Sequence, residues 1–173
     1  MKRILILIFA VLLVSCLFGC HYNDGGDILE PVEFYYPRTT EAIVYGSDNG
    51  VIAAEIREAS GHTKDLNYLL SMYTRGPLDS GFRSPFPDGC RPLDVYIEED
   101  CLYIRLSSSF TTLENLELTT ACAALAKTGL RIAGTQYISI HSESTAKTVH
   151  AKYDAESFCF ADNATLVAAP EAE

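Results

Sequence analysis

The chain has 173 residues, 48% hydrophobic and 10% aromatic, with a formal net charge of −10. That length suits one domain with a buried core, and the composition excludes a disordered polymer. Acidic balance without any run of Lys or Arg also excludes a nucleic-acid partner, since a phosphate backbone would repel such a surface.

Lys2 and Arg3 give a short basic start, Ile4 to Val14 is wholly apolar, and Leu17-Phe18-Gly19-Cys20 follows. A positive start, an apolar run shorter than the roughly 20 residues of a spanning helix, and a small residue before the cut describe an export signal over 1–19. The cysteine directly after that small residue resembles the lipobox of bacterial lipoproteins. The resemblance implies that Cys20 is acylated and becomes the new N-terminus, which makes the membrane a partner through a lipid anchor and places the domain outside the cytoplasm. The polar, Gly-bearing stretch 20–31 then reads as the acylated cysteine and a flexible tether. Cys90, Cys101, Cys122 and Cys159 remain, in a location that permits disulfides. Their spacing matches no zinc or haem pattern.

Glu33 to Tyr36 predicts a short aromatic strand ended by Pro37, followed by a loop to Gly50. Val51 to Arg57 alternates, with Ile52, Ala54 and Ile56 on one face. The two segments read as hairpin arms, with Ile43, Val44 and Tyr45 as a candidate extension. A helix follows, with Thr63 as N-cap, a stripe of Leu66, Leu69, Leu70 and Tyr73, and a stop at Gly76-Pro77. Residues 76–92 hold too many prolines and glycines for helix or central strand, and Leu78, Phe82 and Phe86 should pin this loop to the domain.

The next hairpin is the clearest element. A turn at Glu99-Asp100 pairs Ile97 with Leu102, Val95 with Ile104 and Leu93 with Leu106. The same register sets Tyr96 against Tyr103 and Asp94 against Arg105 as an ion pair. It also carries Cys90 more than about 20 Å from Cys101, beyond disulfide reach unless the loop at Pro87 to Pro92 folds back. A capping box of Thr111 and Glu114 opens a second helix with the stripe Leu118, Ala121, Cys122 and Leu125 and an end at Gly129. Gln136 to His141 alternates as a strand, and Val149 to Phe160 offers one or two edge strands. Segment 143–173 reads as a C-terminal extension with a disordered end. The order ββαββαβ implies an α+β fold: a mixed or antiparallel sheet of about five strands with two helices on one face.

Taken together, Phe34-Tyr35-Tyr36, Leu69-Leu70 running into Gly76-Pro77, Gly81, Ser84, Pro87-Asp88-Gly89, Leu93 to Val95 and Leu106-Ser107 resemble the GerMN domain family of sporulation and spore-germination proteins. The resemblance covers roughly residues 32–142. Cys90 stands where the family often has Thr, and many members carry a second domain. What the resemblance implies is a non-enzymatic envelope module that meets an envelope protein in sporulation, germination or related processes. It brings no catalytic residues.

The residues themselves agree on chemistry. His21, His62, His141 and His150 are scattered, and no HExxH, nucleophile elbow or phosphate loop occurs. Ser107-Ser108-Ser109 reads as a strand-to-helix connection, and Glu98, Glu99 and Asp100 as a charged hairpin tip. No cofactor or metal is expected. Two features suit binding. One is the outer hairpin face of Tyr96, Tyr103, Asp94 and Arg105, whose bland counterpart is an ordinary half-exposed sheet face. The other is the loop at Phe82 and Phe86, whose bland counterpart is a lid over the core. A cell-wall fragment or small ligand is the alternative occupant.

Overall fold

A computed structural model describes residues 30–40 and 50–157. The export signal, Cys20, most of the tether, Ile43 to Tyr45 and Cys159 lie outside the described residues. Strands β1 (Pro31–Pro37) and β2 (Ile52–Glu58) are followed by helix α1 (Leu66–Thr74). Strands β3 (Pro92–Glu98) and β4 (Cys101–Leu106), a 3-10 turn (Ser108–Thr112), helix α2 (Asn115–Ala133), β5 (Tyr137–Glu143) and β6 (Thr148–Asp154) complete the order. The fold is α+β, but its strands form two sheets: β1-β2 alone, and β3-β4-β5-β6. The sequence reading had merged them, because alternation along a strand does not say which strands pair.

The large sheet is mixed. β3-β4 and β5-β6 are antiparallel, and β4-β5 is parallel because α2 crosses between them. β6 supplies the expected edge strand. Leu102, Ile104, Ile138 and Ile140 are fully or almost fully buried, and Leu69, Leu70 and Tyr73 of α1 pack into the same core as Cys122 and Leu125 of α2. Both helices therefore cover one face. Gly129 does not end α2. It sits inside the helix where a Cβ would stand 2.5 Å from Ile138 Cδ1 and 3.1 Å from Leu102 Cδ2, so a hydrogen there lets helix and sheet touch. The helix ends instead at Gly134, in the left-handed region at φ 66°.

Three local expectations shift by one to three residues. Asp65, not Thr63, caps α1 by accepting the Tyr68 N–H, while the Thr63 hydroxyl bonds Glu30. Glu114 is the N-cap of α2 without a side-chain cap bond, and Thr111 belongs to the preceding 3-10 turn, donating to the Ser108 carbonyl. The β3-β4 register matches expectation at Ile97–Leu102, Val95–Ile104, Tyr96–Tyr103 and Asp94–Arg105, but a bulge at Leu93 pairs Pro92 with Leu106. Leu93 is exposed at the bulge, and Ile97, in the expected register, is exposed near the end of the edge strand.

The small sheet overturns one face assignment. Ile52, Ala54 and Ile56 do share a face, yet Ile56 is 68% exposed, while Glu55 and Arg57 are buried. In register, Glu55 lies opposite Phe34 and Arg57 opposite Val32 on the core side. A dense polar network makes this tolerable. Glu55 Oε2 receives Arg57 at 2.6 Å, Glu55 Oε1 accepts the Leu78 and Asp79 N–H groups at 2.7 Å, and Arg57 donates to the Gly76 carbonyl at 2.6 Å. The guanidinium also lies 5.5 Å from the Phe34 and Tyr36 ring centres. A buried charge survives when its hydrogen bonds are met.

The outer edge of β1 is occupied as well. The Tyr35 N–H donates to Thr128 Oγ1 at 2.9 Å, and the Tyr73 hydroxyl donates to the Tyr35 carbonyl at 2.7 Å. The Pro37 carbonyl accepts the Arg83 N–H at 2.9 Å.

Candidate functional site

With both helices on one face, the alternation of β3 to β6 delivers Tyr96, Tyr103, Arg105, His141, His150 and Lys152 to the other. Tyr96 and Tyr103 stack with ring centres 5.0 Å apart and planes within 7°. Tyr96 is 46% exposed, and beneath the pair Cys101 and Ser139 are buried. The Cys101 thiol beside it raises the Tyr103 phenol above its usual range. Lys152 Nζ lies 4.7 Å from the Tyr137 ring centre.

Asp94 and Arg105 stand opposite each other, but they form no ion pair; among the described residues the pairs are Arg57–Glu55, Arg131–Glu33 and His141–Glu143. Both are exposed strand positions, where water screens the attraction and long side chains keep their freedom. The parallel β4-β5 ladder instead sets Arg105 beside His141, and β5-β6 sets His141 beside His150, ring centres 5.8 Å apart. At this end of the face a cleft of about 740 Å³ opens, lined among others by Arg91, Arg105, Ser107, Ser108, His141 and Glu143. Sequence reasoning missed it. The nearest signal is Arg105, which the expected ion pair with Asp94 neutralises.

The proline-rich loop divides its two candidates. Phe86 is buried and meets Tyr73 edge-on at 5.1 Å, so it serves the core as a lid. Phe82 is half-buried: it bridges to Arg38, whose guanidinium carbon lies 5.3 Å from its ring centre. Leu78, expected as a third anchor, is 83% exposed; its backbone N–H pins the loop instead, through Glu55. Ser107 is a connector, its hydroxyl bonding Gly89, Arg91 and Ser109.

Cys90, Cys101 and Cys122 are free and buried. Burial pushes the Cys90 thiol up to about 11, with Ser107 and Ser109 hydroxyls pulling partly against it. Burial likewise raises Cys122, so neither is a ready nucleophile. A second cavity, about 450 Å³, lies between β1 and the end of α2, but its Arg131 and Glu33 pair with each other at 3.0 Å. Among the described residues there is no group of three or more His, Cys, Asp or Glu that could hold a metal, and no helix long and apolar enough to cross a membrane.

No protein-family profile matches the chain, and no curated protein matches it. Among solved structures it is similar to the tandem GerMN domains of the sporulation protein GerM from Bacillus subtilis, at 14% identity and TM-score 0.50 over 66% of this chain. The chain spans 39% of the length of that tandem structure. A protein from Clostridium perfringens described as a candidate lipoprotein aligns at 17% identity and TM-score 0.45, over 73% of this chain and 88% of its own. The overlap with the tandem domains gives this chain a GerMN-like fold.

Proposed function

We propose that the chain is a non-enzymatic, lipid-anchored extracytoplasmic module that docks an envelope protein through the outer face of the four-stranded sheet, in sporulation, germination or a related envelope process. The observation that carries this reading is the exposed Tyr96–Tyr103 stack. A sheet needs one covered face for stability, and here two helices already supply it. Stacked tyrosines on the opposite face therefore add nothing the core requires, and tyrosine is a residue type favoured at protein interfaces. The GerMN-like fold supports the same reading, since the similar structure belongs to a sporulation protein. That support is by analogy of fold. The anchor rests on Gly19-Cys20 and the leader before it.

The test is a crosslinking pull-down from membranes, comparing wild type with Tyr96→Ala/Tyr103→Ala through growth and any sporulation stage. Specific envelope proteins lost in the variant are the expected result. No specific protein in either sample, with binding to purified wall material retained, would overturn the docking reading. Cys20→Ser should release the protein from membranes into the soluble fraction.

A further inference from the structure

We propose that the cleft at the Arg91–Arg105 end of the outer face binds a phosphate- or carboxylate-bearing, hydroxyl-rich small ligand. This site adjoins the tyrosine stack, with Arg105 two residues from Tyr103 on the same strand face, but neither tyrosine lines it and it needs no protein partner.

The charge pattern is the first argument. The chain carries a net −10, yet Arg91 and Arg105 both line this cleft, Arg91 standing between it and a second cavity beside Arg75. Neither Arg91 nor Arg105 has a side-chain hydrogen bond or ion pair with a described residue. Arg105 is unpaired even though Asp94 faces it across the hairpin, and Asp94 is not part of the cleft lining. The carboxylate that does line the cleft, Glu143, stands 3.9 Å from His141. Two guanidiniums thus remain for an incoming anion, and their planar forks match phosphate and carboxylate oxygens.

Placement is the second argument. Arg105 projects from a central strand, with His141 next to it on the parallel neighbour. The Arg91 backbone is tied on both sides to Ser107: its carbonyl accepts the Ser107 N–H at 2.9 Å, and its N–H donates to Ser107 Oγ at 3.1 Å. Ser107 in turn is held through Ser142, whose hydroxyl donates to the Ser107 carbonyl at 2.9 Å. Two strands, β4 and β5, and the Arg91–Ser107 tie therefore fix the backbone of the site, so the ordering a ligand must impose is confined to the arginine side chains. A volume of about 740 Å³ is that of a site for a molecule, not a bare ion. The Ser108 hydroxyl and the His141 ring edge suit a carrier rich in hydroxyls.

The experiment titrates the full-length protein in nonionic detergent with glycerol 3-phosphate, glucuronate and, as neutral control, glycerol. Amide nitrogen–proton spectra report the binding. Saturable shifts centred on Arg91, Arg105 and His141, with one or both anions and at roughly millimolar concentration, are expected. Which anion binds separates a phosphate source from a carboxylate source. Arg91→Gln/Arg105→Gln should weaken binding about tenfold or more. Lys64→Gln/Arg83→Gln, which removes the same charge from other loops, should leave it unchanged. The proposal is overturned by equal binding of glycerol, by undiminished binding in the double arginine variant, or by equal loss in the control variant. Absence of saturable shifts for both anions overturns it too. Because no protein partner enters the titration, these outcomes are independent of the docking reading.

Discussion

The two sheets solve burial in opposite ways. The four-stranded sheet presents Leu102, Ile104, Ile138 and Ile140 to the helices, an apolar layer that alternation reads correctly on its two central strands. The two-stranded sheet presents Phe34 and Tyr36 together with Glu55 and Arg57, and leaves Ile56 in water. The difference lies in what each sheet must hold. The larger one packs the two helices together with apolar loop side chains, Phe86 and Cys90, in one core. The smaller one organises a loop whose backbone N–H and carbonyl groups at Gly76, Leu78 and Asp79 need partners, and an ion pair supplies them.

The comparison breaks most sharply at Glu55. Glu55→Ala strands a buried guanidinium and two backbone N–H groups, and should cost about 3–5 kcal/mol by urea unfolding. Glu55→Met/Arg57→Met should cost less than the single change, since it removes the stranded charge; a single-variant loss under about 1 kcal/mol would show the pair to be ornamental. In the apolar sheet, Ile140→Ala should cost about 3 kcal/mol by the same method, through lost burial and a cavity, with no rescue from a second polar change. The seam between the loop and the hairpin is probed by pH. Cys90 is held neutral by burial, its pKa raised from 9.0 to about 11. A raised pKa contributes stability that is complete below pH 9 and lost as pH climbs through 11. Unfolding free energy should therefore fall by roughly 2–3 kcal/mol more in wild type than in Cys90→Ala over that window. The smallest effect sharpens a helix start. Asp65→Ala should cost about 1 kcal/mol, measured by the melting temperature, as loss of an N-cap.

The sequence carried the large hairpin almost whole, because alternation, an aromatic pair and a two-residue turn all agree there. It lost Leu93, since a proline at position 92 and the bulge after it reset the pairing by one residue. It misassigned Arg57 because charge is normally a sign of exposure, and only the Phe34 and Tyr36 rings with the loop carbonyls reverse that. Gly129 looked like a stop signal; the close approach of Ile138, nine residues later in sequence, is visible only after packing. Of the site, the Tyr96–Tyr103 pair was legible from local register. The cleft was not, because Arg105 and His141 meet through a parallel ladder whose strand order no local pattern encodes.

The guarded rim of β1 has a consequence for how copies of this chain can meet. Tyr35 faces away from β2, and so by strand alternation do Pro31, Glu33 and Pro37. Two of those four positions are prolines without an N–H, and at the third the Tyr35 N–H already donates to Thr128 Oγ1. A foreign strand approaching from that side would find a single free donor, at Glu33, beside a carboxylate. Polymer growth by strand addition is thus closed at β1, and crowding many copies on one surface does not turn this rim into a seed for fibres.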